Sequence, residues 1–363
     1  MSDGPELRER PEDIDASWLT DVLRASGALA AGATIEACTH RPIGTGQMAD
    51  SYRFELTTSG DDDAPASIVL KLAAASDTSR MTGLGLGTYE AEVGFYRELA
   101  GSLAISVPRC HLAVVDPATG WFTLVLDDMA PAVQGDQLKG CSADVAAVAL
   151  AQAVELHAPR WGDPALADIT WFSRSVPESM ASTATMLGML FTGFAERYGG
   201  RLDAASIEAC RRFVEGAATW NVPPESPRTL QHGDYRLDNM LFGDGVAAPE
   251  LAIVDWQTIV RGHAMADVAY FMGSSLEPAE REACEDEVVR EYHGRMRAAG
   301  VEGWSWDDCW RDYRYFSFFG LMMGIGASML VEQTERGDEM FMTNVRRAAA
   351  HAEAMDAFSL VEP

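Results

Sequence analysis

Asp234 and Asn239 stand five positions apart in the stretch Gln231-His232-Gly233-Asp234-Tyr235-Arg236-Leu237-Asp238-Asn239, and a second acid, Asp255, opens Asp255-Trp256-Gln257 further on. A carboxylate, an amide and another carboxylate in this order form a device for holding a cation and a polyanion. Asp234 can accept a proton from an attacking hydroxyl, while Asn239 and Asp255 offer the hard oxygen ligands that Mg2+ prefers.

Bringing these groups together requires a hairpin. Met240-Leu241-Phe242 and Leu251-Ala252-Ile253-Val254 are apolar runs joined by a turn that contains Gly-Asp-Gly and Pro, which predicts two short strands. Such a hairpin places Asn239 and Asp255 together at its open end. On the residues alone, two polar turns flanking a buried hairpin would show the same pattern.

The order Asp, four residues, Asn, hairpin, Asp resembles the catalytic and metal-binding segments of protein kinases. With Gly233 where those kinases carry Arg, and Trp256-Gln257 after the metal Asp, it resembles more specifically the aminoglycoside phosphotransferase family and its choline-kinase and ecdysteroid-kinase-like relatives. Gly262 and Asp267-Val268-Ala269-Tyr270-Phe271 match that family's Gly and Asp-Leu-Ala-Tyr signature. The similarity runs from about Arg41 to Phe271, with the specific part between His232 and Asp267.

That resemblance implies an α+β, two-lobed protein-kinase-like fold. A small antiparallel-sheet lobe with a leading helix would occupy residues 1–129, and a larger, mainly helical lobe with the catalytic loop and acceptor pocket residues 130–363. It implies ATP and Mg2+ as cofactors, Asn239 and Asp255 as metal ligands, and Asp234 as the catalytic group acting on a small-molecule hydroxyl. Asp267 and His232 would support the catalytic loop without touching substrate.

Upstream elements must complete such a site. In Ser67-Ile68-Val69-Leu70-Lys71-Leu72, strand alternation puts Ile68, Leu70 and Leu72 on one face and Val69 and Lys71 on the other. A charge in an apolar strand is costly unless partnered; a lysine snorkelling at a sheet edge is the competing reading. By resemblance, Lys71 reaches the nucleotide's alpha and beta phosphates. Its partner should be Glu92: over Thr88 to Ala100 the helical pattern turns Phe95, Tyr96 and Leu99 inward, and Glu92 shares that face whereas Glu90 is offset. The preceding Gly83-Leu84-Gly85-Leu86-Gly87 reads as a mobile connection, with a second phosphate loop as its rival.

Ile43-Gly44-Thr45-Gly46-Gln47-Met48-Ala49-Asp50-Ser51 is a glycine-containing turn leading into the alternating strand Tyr52 to Leu56. Through Gly44, Gly46 and Ser51 it can lie over phosphates, because glycine lets backbone amides approach closely. Ala49 stands where the kinase loop has its third glycine, and an ordinary hairpin turn looks the same. A dinucleotide-binding reading fits poorly, since a strand follows where that site needs a helix. Two further strands, Cys110 to Val115 and Trp121 to Leu126, lead to Asp127-Asp128-Met129-Ala130-Pro131. There the resemblance places the hinge between lobes, with the Asp127 carbonyl and the Met129 amide as adenine contacts.

Helices are expected from Asp15 to Gly27, Ser142 to His157, within Trp171 to Trp220 and, more roughly, at 280–299, 306–330 and 338–358. Methionines and aromatics such as Met186, Met189 and Phe194 read as core; by resemblance the 171–220 segment also shapes the acceptor pocket. The apolar run Phe316 to Val331 falls short of the roughly 20 residues a bilayer requires and reads as a buried helix.

The 363 residues suffice for two lobes, and 28 Lys+Arg against 55 Asp+Glu give a formal charge of −27, which disfavours nucleic acid and anionic membranes as partners. Six scattered cysteines fit neither a zinc knuckle nor a disulfide framework, so a cytoplasmic location is expected. The expected function is ATP-dependent phosphate transfer to a small-molecule hydroxyl. The alternatives are a nucleotide-binding module without catalysis and a metal-dependent hydrolase built on His232, Asp234, Asp255 and His263, which would leave Lys71 and Glu92 unexplained. For the acceptor, an acidic surface points to a cation and the apolar 171–220 segment to an apolar compound, so its identity stays open.

Overall fold

One helix laid on one face of a sheet leaves the other face to build a site. In the computed structural model, which describes residues 6–44, 48–172, 180–220 and 225–361, α1 (Ala16–Ala25) starts where the Asp15 carboxylate accepts the Trp18 amide at 2.8 Å. It is followed by Gly27 at φ 70°. Trp18, Leu19, Val22 and Leu23 bury themselves against Phe54, Ile68, Leu70 and Leu72 of a five-stranded antiparallel sheet. Its strands are β1 (Thr34–Ile43), β2 (Ala49–Ser59), β3 (Ser67–Ala73), β4 (Cys110–Val115) and β5 (Phe122–Asp127), in the order β1-β2-β3-β5-β4. Because side chains alternate along β3, burying Ile68, Leu70 and Leu72 under α1 turns Val69 and Lys71 to the opposite side.

Between β3 and β4 the structure departs from expectation. The glycine-rich stretch before Thr88 is not a loop: α2 (Asp77–Leu86) runs through it and ends at Gly87, whose φ of 68° closes the helix. Gly83 serves packing, since a Cβ there would lie 2.5 Å from the Tyr89 ring, which stacks on Phe122. α3 (Thr88–Gly94) then widens into a π turn over Phe95–Leu99 and tightens into a 3-10 turn at Ala100–Ser102, where an unbroken α-helix was expected. Phe95, Tyr96 and Leu99 are buried, as their spacing predicts.

After β5 the chain leaves this sheet and next pairs at β6 (Val133–Gln134). α4 (Ala143–His157), α5 (Met180–Tyr198) and α6 (Ala204–Trp220) lead to β7 (Thr229–Gln231). The hairpin β8 (Met240–Phe242) and β9 (Leu251–Ile253) pairs Met240 with Ile253 and Phe242 with Leu251, so Asn239 and Asp255 flank its open end. β10 (Val260–Gly262) pairs with β7, and α7 (Ala264–Ser275), α8 (Pro278–Ala298), α9 (Trp306–Phe316), α10 (Phe319–Leu330) and α11 (Glu335–Ala354) complete the helical part. The result is the α+β, two-lobed arrangement anticipated above.

Three details of this half differ from or refine the sequence reading. The helix expected over 306–330 is two helices, because both the Ser317 amide and its hydroxyl bond to the Arg314 carbonyl and end α9. Met189, read as core, is 66% exposed, while Leu187 and Phe194 on the same helix are buried. Gln152, a polar side chain on the inward-packing α4, is satisfied across the fold: its side-chain oxygen accepts the Ser106 amide at 2.9 Å. Among the described residues no helix is long and apolar enough to cross a membrane.

Candidate active site

A cleft of about 900 Å³ lies between the sheet and the helices. Gly44, Ser51, Lys71, Glu92, Asp127, Met129, Asp234, Asn239 and Asp255 all line it. Gly46 lies outside the described residues.

Lys71 is the junction. Its Nζ lies 2.8 Å from Glu92 Oε1, 2.7 Å from Oε2 and 2.7 Å from Asp255 Oδ1. Burial alone would lower the lysine's pKa, but the Asp255 and Glu92 carboxylates outweigh it and hold the ammonium above its ordinary range. For the almost fully buried Glu92, burial wins and pushes the carboxyl up despite Lys71. For Asp255 burial pushes up too, and Lys71 with more distant cations brings it below the usual carboxylate value. Packing ties the two acids together, since Phe95, one turn after Glu92, stacks on Trp256, next to Asp255, with ring centres 3.8 Å apart and planes 8° apart. Asp255 itself adopts the left-handed conformation at φ 68°, a position that aspartate tolerates better than most residues.

The loop holding Asp234 is fixed from below. Asp267, fully buried on the first turn of α7, accepts the amides of His232 at 2.6 Å and Gly233 at 2.9 Å, and meets His157 Nε2 at 3.2 Å. Gly233 has φ 84°, and a Cβ there would lie 2.6 Å from the Thr258 carbonyl oxygen. This gives a physical reason for glycine where protein kinases place arginine. The His232 imidazole is spent inside the loop, between the Val254 carbonyl and the Asp234 amide.

Asp234 itself is more heavily engaged than the sequence alone implies. Arg236 Nε donates to both carboxylate oxygens at 2.9 and 3.0 Å, Asn239 Nδ2 to Oδ2 at 2.8 Å, and the Tyr270 hydroxyl to Oδ1 at 3.3 Å. Burial and the neighbouring Asp234 push the Tyr270 phenol well above its ordinary value, which keeps it a donor. Arg236 also reaches Asp238 at 2.8 Å, and Asp238 in turn accepts from Arg336 at 3.2 Å. Sequence reasoning passed over Arg236, Asp238, Tyr270 and Arg336 as site residues. The arginine between two acids was visible; the contacts across 36 and 98 positions were not.

Asp127 and Met129 line the cleft, with the Asp127 carboxylate bonded to His111 Nε2 at 2.8 Å and the adjacent Asp128 accepting from Arg53 and Ser67. One other expectation is revised. None of the described residues of 171–220 lines the cleft; opposite the sheet, its wall comes from α10, α11, the turn between them and Tyr270 of α7. α5 supports that wall from behind, with Arg197 Nη1 donating to the Ser328 carbonyl at 2.7 Å.

The sequence profile of the phosphotransferase enzyme family, APH, matches residues 39–308, and the chain belongs to that family. A mouse protein, acyl-CoA dehydrogenase family member 10, is 33% identical over 128 residues, a match that spans 32% of this chain and only 12% of that relative's length. Among solved structures, the Plasmodium vivax ethanolamine kinase superposes with a TM-score of 0.52 at 9% identity, over 92% of this chain and 86% of its own. The gentamicin complex of APH(2")-IIa gives 0.50 at 17% identity, over 88% and 94%. At these identities the structural likeness establishes the protein-kinase-like fold.

Proposed function

We propose that this phosphotransferase moves the γ-phosphate of ATP to a hydroxyl of a small molecule. One observation carries the reading: Lys71 of the sheet and Asp234, Asn239 and Asp255 of the helical part converge on a single cleft, with Lys71 and Asp255 in contact at 2.7 Å. Phosphoryl transfer asks a protein chiefly for alignment and charge compensation. In the step, the acceptor oxygen bonds to the γ-phosphorus, the β–γ bridging P–O bond breaks with its electrons leaving on ADP, and the hydroxyl proton passes to Asp234.

Each residue's part follows from its surroundings. Lys71 keeps Glu92 and exchanges Asp255 for phosphate oxygens; Arg236 turns its guanidinium from Asp234 as the acceptor arrives. Gly44 and Ser51, both on the cleft, cover the nucleotide, and the Asp127 carbonyl and Met129 amide take the adenine. On this reading the lobes divide between residues 129 and 130. The six free cysteines fit a reducing cytoplasm.

Asn239 and Asp255 have the right chemistry for magnesium. Both Asn239 hydrogen bonds use its Nδ2, which leaves its oxygen without a protein donor among the described residues. No group of three or more His, Cys, Asp or Glu side chains with metal-ligand geometry occurs among the described residues. A cation here would thus rest on two side chains and the phosphates, the arrangement that suits Mg2+. Bound there, Mg2+ supplies positive charge to the phosphate oxygens. The hydrolase alternative loses its ligands: neither His232 nor His263 lines the cleft, and His263 packs on Phe316.

The test is nucleotide turnover. ADP formation that depends on both Mg-ATP and a hydroxylated acceptor, and disappears in Lys71→Ala, supports the proposal; nucleotide-independent ester cleavage that survives Lys71→Ala overturns it.

A further inference from the structure

α10 has three faces with three neighbours. Leu321, Ile325 and Ser328 are buried in the core. Gly320 and Gly324, one turn apart, press against α11 so closely that a Cβ would lie 2.7 Å from Ala348 Cβ and 2.4 Å from Val345 Cγ2. The third face, Met323, Ala327 and Leu330, follows helical spacing and opens on the cleft, where Val331 and, from α11, Met340 and Phe341 extend it. Leu330 is 45% exposed. Met323 also packs against the core, and the part of this apolar stripe that opens on the cleft is surface available to a ligand.

Charge in the Asp234–Arg236–Asp238 cluster beside this wall is already balanced, and Glu332, directly after Val331, is the lining acid next to the wall outside that cluster. Within the cluster, Asp234 and Asp238 are bonded to Arg236, and Asp238 also to Arg336. A polycation would compete with these guanidinium groups for carboxylates that they already hold, and would strip water from its ammonium groups against Met323 and Leu330. An uncharged aliphatic body meets no such cost.

We infer that the acceptor is a hydroxyl on an uncharged, predominantly aliphatic body, seated against Met323, Ala327 and Leu330 of α10, and that these side chains set specificity. The inference rests on the phosphotransferase reading and names the acceptor class for it. Aminosugar polycations are therefore poor acceptors, even though the chain as a whole carries a charge of −27.

The experiment measures kcat/KM with Mg-ATP for 1,2-alkanediols from butane to decane, beside aminoglycosides and choline. Each added methylene raises kcat/KM by about threefold to fourfold until the wall is filled. Leu330→Asp, at an already exposed position, and Ala327→Asp lower kcat/KM for the longest diol by about tenfold or more, chiefly through KM, and leave the KM for ATP unchanged. A flat chain-length series, a higher kcat/KM for aminoglycosides, or indifference to both substitutions overturns the inference. Calorimetric titration of the diols into the Mg-AMP-PNP complex separates the two levels of the argument. Binding that tightens with chain length, with no phosphate transferred to any compound, keeps the apolar wall and defeats the phosphotransferase reading. Transfer to aminoglycosides without a chain-length trend does the opposite.

Discussion

The two sides of the cleft are built on different principles. On one side stand Glu92 and Asp255, each bonded to Lys71 at 2.7 to 2.8 Å, with aromatic stacking behind them. The other side is a face of α10 with no ionic group on it, brought close by two glycines on the neighbouring face. The charged side makes demands on few residues at fixed positions, because a phosphate chain needs donors and cations at set places. The apolar side needs only a shape and an absence of charge, which many side chains satisfy. One side should therefore fail abruptly on substitution, and the other gradually.

The sharpest contrast comes from Asp234→Asn. Loss of the proton acceptor should lower kcat by about 10²- to 10⁴-fold while Mg-ATP still binds, as read by rapid-quench kinetics beside calorimetry; turnover within a few-fold of wild type would show that Asp234 is not the base. Asp255→Ala removes a charge-assisted contact from the same side and should weaken Mg-ATP binding by about 10- to 100-fold. Nucleotide affinity in EDTA should change far less, and equal losses with and without magnesium would argue against a metal role.

On the apolar side, Gly324→Ala pushes α10 away from Val345. It should cost about 1 to 3 kcal/mol of stability, measured by urea unfolding, and alter acceptor KM more than ATP KM. An unchanged stability would mean that the close approach of α10 to α11 is not needed.

A smaller effect lies away from both walls, in two buried histidines. Burial, helped by Arg228 and Arg261, pushes His263 down to about 3, and burial with Arg281 pushes His351 well below the ordinary histidine value. Both stay neutral in the folded protein while the unfolded chain takes up protons near pH 6.5. Stability is therefore fully present above that pH and falls on acidification, by roughly 1.4 kcal/mol per pH unit for each group until the folded-state pKa is reached. His263→Gln should flatten the decline in Tm between pH 6.5 and 5 relative to wild type; an identical slope would remove His263 as a contributor.

The same contrast explains what the sequence disclosed. Asp234, Asn239 and Asp255 were legible because a hairpin places them at fixed spacing, and Lys71 because a charge in an apolar strand demands a partner. Glu92 followed from helical periodicity, even though the helix widens into a π turn just beyond it. Tyr270 and Arg336 were not legible as partners of the catalytic loop, since nothing local records a contact across 36 or 98 residues. The 171–220 segment was expected to line the cleft, and α10 lines it instead; the glycines and methionines of α10 read equally well as core. Gly83 to Gly87 misled in the opposite direction: Gly83, packed close against Tyr89, and Gly87, which closes α2 with a left-handed turn, looked like parts of a loop.

The central claim is that one nucleotide and its metal lie where Lys71 now touches Asp255. A crystal structure with Mg2+ and AMP-PNP tests this directly. Phosphate oxygens should lie between Lys71 and Asp255, with the present 2.7 Å contact broken and the γ-phosphate facing Asp234. A nucleotide bound outside this cleft, or one bound with Lys71 still joined to Asp255, would contradict it.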